Sequence, residues 1–423
     1  MSHYFFEGFD TVKLAEQFGT PLYVMSMDRI LRAIGSLKTA FEGNIDDIKI
    51  SYAGKAFLNR AMCRIVKKSG IGLDVVSGGE LYTALCSGVD PKDITYHGNY
   101  KSPAEMREAI ESGVGVITVD GREEISALDN IADAIGKKVD IHLRVNPGVE
   151  AHTHEFISTG KTDSKFGIPL GEVGKAAKMA KEAKNINLIG LHCHIGSQIS
   201  LPDPYSLALE IMLKTACDLR EEGINITEIN MGGGFGIRYT EADDPFDLEG
   251  FAKNMGENLR RLCSKLNFPI PKIIIEPGRY IVGPAGITLY TVGAVKNIEG
   301  VRKYVTVDGG MNDNPRPALY DARYSALAAN KADIPAEEYE KVTVSGRSCE
   351  ADTLIKDIYL AKVVPGDIIA VLDTGAYCYS MASNYNRLAV PKMVMTYGDK
   401  AEVIEREQTY EDLIGRDIIP SWL

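Results

Sequence analysis

The feature that most constrains this chain is a rhythm between residues 48 and 279, where a short apolar segment and a helical segment alternate eight times. The apolar segments are IKISYA (48–53), IGLDVVS (71–77), DITYHG (93–98), VGVITVD (114–120), VDIHLRVNP (139–147), NLIGLHCHIG (187–196), ITEINMGGG (226–234) and KIIIEPGR (272–279). Helical stretches such as NRAMCRIVKKSG, SPAEMREAIESG and GREEISALDNIADAIGKK separate them, most closing on a glycine. Strands that are apolar along their whole length belong to a parallel sheet covered on both faces. Eight such units predict a closed (β/α)8 barrel of the TIM type rather than an open doubly wound sheet. The fold says where a site will sit and nothing about its chemistry.

The flanks differ. Before the barrel, Ile30, Leu31, Ile34, Leu37 and Phe41 recur at helical spacing, with Asp28 placed to cap. Earlier still come a short helical pattern, TVKLAEQFG, and a strand pattern, PLYVMS. After residue 281 the helical rhythm stops and strand signals dominate, from AGITLYTVGAVKNIEG to PKMVMTYGDKAEVIER. The expected organisation is a barrel over 28–280 and a mainly antiparallel β-barrel or sandwich domain made of 1–27 plus 281–423. The interval 148–167, GVEAHTHEFISTGKTDSKFG, is longer than its counterparts. It fits a mobile active-site loop, and equally a surface excursion.

Composition excludes several classes. In 423 residues, 45% hydrophobic and 25% charged, the net charge is −11 and no lysine- or arginine-rich run occurs, which argues against nucleic acid and anionic membranes as partners. No run of about 18 apolar residues is present, and MSHYFFEGFD lacks the basic and apolar parts of a secretion signal. A cytoplasmic protein is expected. The seven cysteines show no C-x-x-C spacing and read as reduced thiols, with Cys63 and Cys217 as small core residues.

The first strand runs into Gly54-Lys55-Ala56. A lysine poorly solvated at a strand end loses some of its preference for the ammonium form and can attack a carbonyl to form a Schiff base. A lysine that simply reaches water fits the same stretch. A barrel gathers its site at the C-terminal ends of its strands and holds phosphate after the seventh and eighth. Those positions carry Gly232-Gly233-Gly234-Phe235-Gly236 and Glu276-Pro277-Gly278-Arg279. Glycines let backbone N–H groups close on an anion. After the sixth strand, His192 and His194 alternate inward. Zinc would need a third ligand that no spacing supplies, so no metal is expected. His194 fits stacking on a flat ring, with Ser197 donating to a phosphate; a hydrogen-bonded core histidine is the alternative. A Schiff-base lysine, a strand-end carboxylate and a phosphate cradle together specify pyridoxal 5′-phosphate, with Glu276 opposite the ring nitrogen.

The motifs SYAGKAF, GLDVVSGGEL, ISTG, SKFGI, GLHCHIGSQ, NMGGGFGI, EPGRYIV, MNDNPRPALYDA, GRSCEADT and GAYCYSMASNYN follow one another along nearly the whole chain. In that order they resemble the diaminopimelate decarboxylases, of the alanine-racemase-like class of pyridoxal-phosphate enzymes. The resemblance implies that Lys55 carries the cofactor, that Asp74 and Glu80 support it, and that His194, Ser197, Gly233, Gly234, Glu276, Pro277, Gly278, Arg279 and Tyr377 hold it. It implies that Arg279, Arg316, Tyr320, Glu350 and Tyr377 meet the substrate. Cys349, by itself readable as a buried small cysteine, is implied to be the acid that protonates the α-carbon, reaching the site of a partner subunit in a homodimer with shared sites. The implied reaction is decarboxylation of meso-2,6-diaminopimelate to L-lysine, the last step of lysine biosynthesis. Alternatives are another diamino acid (ornithine, D-lysine or carboxynorspermidine) and a non-catalytic pyridoxal-phosphate-binding homologue. The chain departs from the pattern at Ala351, usually serine, and at Asp321-Ala322-Arg323-Tyr324, often a tyrosine-histidine pair. Both departures bear on the distal end of the substrate.

Overall fold

The computed structural model describes residues 2–149, 164–350 and 352–423. Two compact units emerge: Ala33–Ile237 with Asp244–Tyr280, and Met1–Arg32 with Arg238–Asp243 and Ile281–Leu423. The segment Arg238–Asp243 thus clusters with the β unit although it falls inside the stretch expected to be barrel. Most of the 148–167 interval (150–163) and Ala351 lie outside the described residues.

The first unit is the barrel. Its parallel strands are Ile48–Ala53, Gly72–Val75, Ile94–Tyr96, Val116–Val119, Val139–Asn146, Ile186–His192, Glu228–Asn230 and Lys272–Ile275. Each pairs with the next, and Ile273↔Ile48 and Ile275↔Ile50 join the eighth to the first, so the sheet closes and keeps no open edge. Leu73, Val75, Ile117, Val119, Leu143, Leu191, Ile229 and Ile273 are almost wholly buried, which is why these segments read as continuous apolar runs. Truncating one of them, such as Leu143→Ala, costs about 2–5 kcal/mol.

Local signals set the surrounding helices. Asn59 Oδ1 accepts from Met62 N at 2.9 Å to start Arg60–Ser69, and Ser102 and Glu105 form a reciprocal capping box on Pro103–Ser112. The helix Met27–Glu42 corrects one expectation: Ser26 Oγ, not Asp28, takes the first-turn bond, accepting from Arg29 N at 3.2 Å. Asp28 is already inside the first turn, where its charge favours the helix N-terminus.

The second unit is a sheet in the strand order Thr353–Leu360, Glu340–Ser345, Arg302–Val307, Gly286–Ile298, Leu22–Ser26, Lys392–Tyr397, Lys400–Glu405, with Ile368–Val371 also on Gly286–Ile298. Most pairs are antiparallel; Arg302–Val307 with Glu340–Ser345 and Leu22–Ser26 with Lys392–Tyr397 are parallel. The N-terminal strand Leu22–Ser26 therefore sits inside this sheet, as expected, and its Leu22 and Val24 share a core with Leu289, Ala370 and Val394. The loop carrying Cys349 follows Glu340–Ser345. Asp352 shapes it, accepting from Ser348 N at 3.0 Å and from Met311 N at 2.7 Å. Among the described residues no helix is long and apolar enough to cross a membrane.

Candidate active site

The C-terminal ends of the barrel strands surround a cavity of about 900 Å³ lined by Lys55, Asp74, His97, Arg144, His194 and Glu276, among others. Lys55 stands in a single 3-10 turn, Gly54–Ala56, immediately after the first strand. It is exposed while both its neighbours are buried. This corrects the expectation of a desolvated lysine: the strand stops at Ala53, and the extra turn carries the ammonium past the packed wall to the cavity. Its charge acts on Asp74, Glu80 and His194.

Glu276 closes the floor. It is buried at 9% exposure, and three side chains converge on it: Asn230 Nδ2 donates to Oε1 at 2.5 Å, His97 Nε2 lies 3.0 Å from Oε1, and His192 Nε2 lies 3.3 Å from Oε2. Burial alone would push this carboxyl up, but the facing imidazoles His97 and His192 hold it well below the usual carboxylate range. An ionised carboxylate only accepts, so the proton of His192 must sit on Nε2. Burial pushes the His192 imidazole down to about 3, which keeps it neutral. Asp74 behaves oppositely. Burial, and then the Glu276 charge, raise its carboxyl well above the normal range; Ser51 Oγ donates to Oδ1 at 2.5 Å, and Oδ2 has no hydrogen-bond partner among the described residues.

The two turns expected to cradle phosphate meet at this floor. Glu276 N donates to Gly232 O at 2.8 Å, and Gly232 N donates to Asn230 Oδ1 at 2.9 Å. A Cβ on Gly233 would stand 2.0 Å from the Glu276 carbonyl oxygen. One on Gly234, at φ +114°, would stand 2.4 Å from Gly196 O, so only glycine fits either position. Arg279 Nη2 donates to Ser197 Oγ at 3.0 Å, linking the turn after the eighth strand to the one after the sixth. Ala53 N donates to Pro277 O at 3.2 Å, and an added Cβ on Gly278 would press on Ala53 and Ala56 at 3.1 Å, so the last turn lies against the first.

Residues 27–283 match the family described as pyridoxal-dependent decarboxylase, pyridoxal binding domain. The chain is 45% identical to the diaminopimelate decarboxylase of Bacillus subtilis over 97% of this chain and 94% of that one. With the Staphylococcus aureus enzyme of the same name it shares 43% over 97% and 96%. A crystal structure of diaminopimelate decarboxylase from M. jannaschii with L-lysine superposes with a TM-score of 0.93 at 38% identity, covering 99% of this chain and 96% of that one. The chain belongs to the diaminopimelate decarboxylase family. It is a carboxy-lyase whose cofactor is pyridoxal phosphate, and the site fits that group: a buried ionised carboxylate and an exposed lysine line one cavity, and a glycine turn that tolerates no side chain packs against the backbone of that carboxylate residue.

The barrel unit brings together Lys55, Asp74, His194, Ser197, Gly233, Gly234, Glu276, Pro277, Gly278 and Arg279. His194 is half-buried on the cavity wall, not in the core, and is pushed down to about 3 by burial and then by Lys55. Glu80 accepts from Val76 N at 2.7 Å and is raised by burial. In the β unit, Arg316 is buried, donates to Tyr239 Oη at 3.1 Å and to Tyr324 Oη, and lies 5.9 Å from the Tyr377 ring centroid. Tyr320 is 64% exposed on the surface of that unit. Cys349 is exposed, which rules out the buried-cysteine alternative; its N donates to Asn386 Oδ1 at 3.2 Å, and Tyr385 Oη donates to Glu350 Oε1 at 2.7 Å. Sequence reasoning missed His97, Asn230 and Arg144. It also found no third partner for a metal, whereas His97, His192 and Glu276 offer ligand atoms within 4.8 Å of one another; His194 does not join them.

Proposed function

We propose that this protein decarboxylates meso-2,6-diaminopimelate to L-lysine and carbon dioxide. The observation that carries the reading is the Glu276 carboxylate, held ionised by two histidines and Asn230 on the wall it shares with Lys55. Pyridoxal phosphate, when bound, supplies the sink for the electron pair that the departing carboxylate leaves behind. Lys55 would be its attachment point, His194 would cover the ring, and Ser197, Gly233, Gly234 and Pro277–Arg279 would hold the phosphate. Asp74 and Glu80 set the charge around Lys55. Glu276 would keep a proton on the ring nitrogen by charge pairing. Arg279 and Arg316 suit the retained distal carboxylate, because a guanidinium fork pairs a carboxylate on two N–H groups, and Glu350 suits the distal ammonium. Tyr320 and Tyr377 complete the substrate pocket. Cys349 of the partner subunit delivers the proton to the α-carbon, so the proposal includes a homodimer with shared sites and a cytoplasmic enzyme.

The test is carbon dioxide release by the purified protein across meso-diaminopimelate, ornithine, D-lysine and carboxynorspermidine. Release from meso-diaminopimelate alone, with L-lysine as product and abolished in Lys55→Ala, is the expected result. Preferred turnover of another diamino acid, or none at all, overturns the proposal.

A further inference from the structure

His97 is the group in the site that no motif foresees. It directly follows the short third strand, is 6% exposed, and its backbone is fixed on both sides: His97 N donates to Val75 O at 2.7 Å, while the buried Lys101 Nζ donates to Gly98 O at 2.8 Å and to Thr118 O at 2.8 Å. Its ring therefore has little freedom. That ring stands between the two buried carboxylates, with Nε2 3.0 Å from Glu276 Oε1 and 3.9 Å from Asp74 Oδ1, and it meets the His192 ring edge-on at 4.9 Å between centroids.

Two carboxylates buried this close do not both ionise readily. His97 Nε2 lies nearer to Glu276 than to Asp74, so it favours the charge on Glu276. His192 serves the other oxygen of Glu276, and Asn230 donates to the same Oε1 from the seventh strand. Two further charged groups line this cavity: Arg144, which acts on Glu276 and pairs with Asp120 at 3.5 Å, and Lys55, whose charge acts on Asp74. The N–H of His97 points off the straight line to Oε1, leaving Nε2 without a well-formed hydrogen bond among the described residues. Contacts of this kind tighten when a ligand completes a site.

We propose that His97 is a positioning residue that holds Glu276 ionised and aimed at the ring nitrogen of the cofactor. The inference rests on the reading of Glu276 given above and adds the residue on which its charge state depends. It is tested on the full-length protein stripped of cofactor, by titration with pyridoxal phosphate and with its 1-deaza analogue, in which carbon replaces the ring nitrogen. The wild-type protein should prefer pyridoxal phosphate by about tenfold or more, the scale of a charge-assisted hydrogen bond. In His97→Phe the preference should fall to about threefold or less, with His97→Gln, whose amide reaches as far as Nε2, recovering part of it. If His97→Phe fails to fold, as judged by circular dichroism, His97→Asn replaces it with the same expectation, since the shorter amide cannot reach. A wild-type preference that survives in the variant overturns the role of His97 and leaves that of Glu276 standing. No preference in the wild-type protein removes the Glu276 reading itself.

Discussion

Asn230 ties the glycine turn to the buried carboxylate: its Nδ2 donates to Glu276 Oε1 at 2.5 Å while its Oδ1 accepts from Gly232 N at 2.9 Å. One side chain thus sets the spacing between the two features proposed to hold opposite ends of the cofactor. Asn230→Ala should weaken pyridoxal phosphate binding by about 10- to 100-fold, the loss expected when a buried charged acceptor forfeits a donor and a loop its tether. Equilibrium dialysis measures it, and an unchanged affinity would show that the turn holds its shape alone.

Glu276→Gln tests the carboxylate itself. The amide has nearly the same shape and can still accept from Asn230, so cofactor should be retained. Without the negative charge the ring nitrogen is no longer kept protonated, and kcat should drop by about 100-fold or more, on the scale of losing one preorganised electrostatic partner. Steady-state kinetics at saturating cofactor decide, and a wild-type kcat would remove Glu276 from the mechanism.

At the other end of the barrel, Glu228 pairs with His142 at 2.9 Å and Lys272 at 3.0 Å. Burial raises its carboxyl, but His142 and Lys272 more than offset this and bring it down to about 2. A depressed folded-state value stabilises the protein above the carboxyl's unfolded value of about 4.3, and that contribution disappears as pH falls through about 2. Glu228→Gln should therefore cost about 2–3 kcal/mol at pH 7 and progressively less below pH 4. Urea unfolding at several pH values checks it; a difference independent of pH would mean that packing, not charge, is what the substitution removes.

The shared-site proposal has its own readout. Lys55→Ala and Cys349→Ala proteins should each be inactive, and mixing them under conditions of subunit exchange should restore about a quarter of wild-type activity. Half the dimers are then mixed, and each carries one intact site of two. No recovery, with exchange proven by native mass spectrometry, would place both residues in one chain.

Much of this arrangement is legible in the sequence, for physical reasons that also explain the gaps. All eight barrel strands are, because burial on both faces makes each an apolar run. Their ends are not: the sixth stops at His192 and the seventh at Asn230, yet Cys193, Ile195 and Met231 beyond them are equally buried by the turns and so look like strand. The strand Thr353–Leu360 escapes because Lys356 and Asp357 interrupt it, and its pairing shifts register there, with Asp357 at φ 56°. Lys55, Glu276 and the glycine turns stand out only together, because a lysine, a carboxylate and a phosphate-sized glycine turn all fall at strand ends of one barrel, where each alone is ordinary. His97 does not, since a polar residue just after a three-residue strand is unremarkable until the barrel brings that strand end near Glu276 after the eighth.

The contact of the last barrel turn with the first has a consequence for biosynthesis. The lysine is made early and its carboxylate late, and the turn bearing Gly278 settles on Ala53 and Ala56 only after the eighth strand has joined. A chain that stops before that point has the lysine proposed as attachment point, but neither Glu276 nor the Gly278 turn beside it. The residues proposed to hold the cofactor are therefore assembled only in molecules whose two barrel ends have met, with residues 281–423 still to follow.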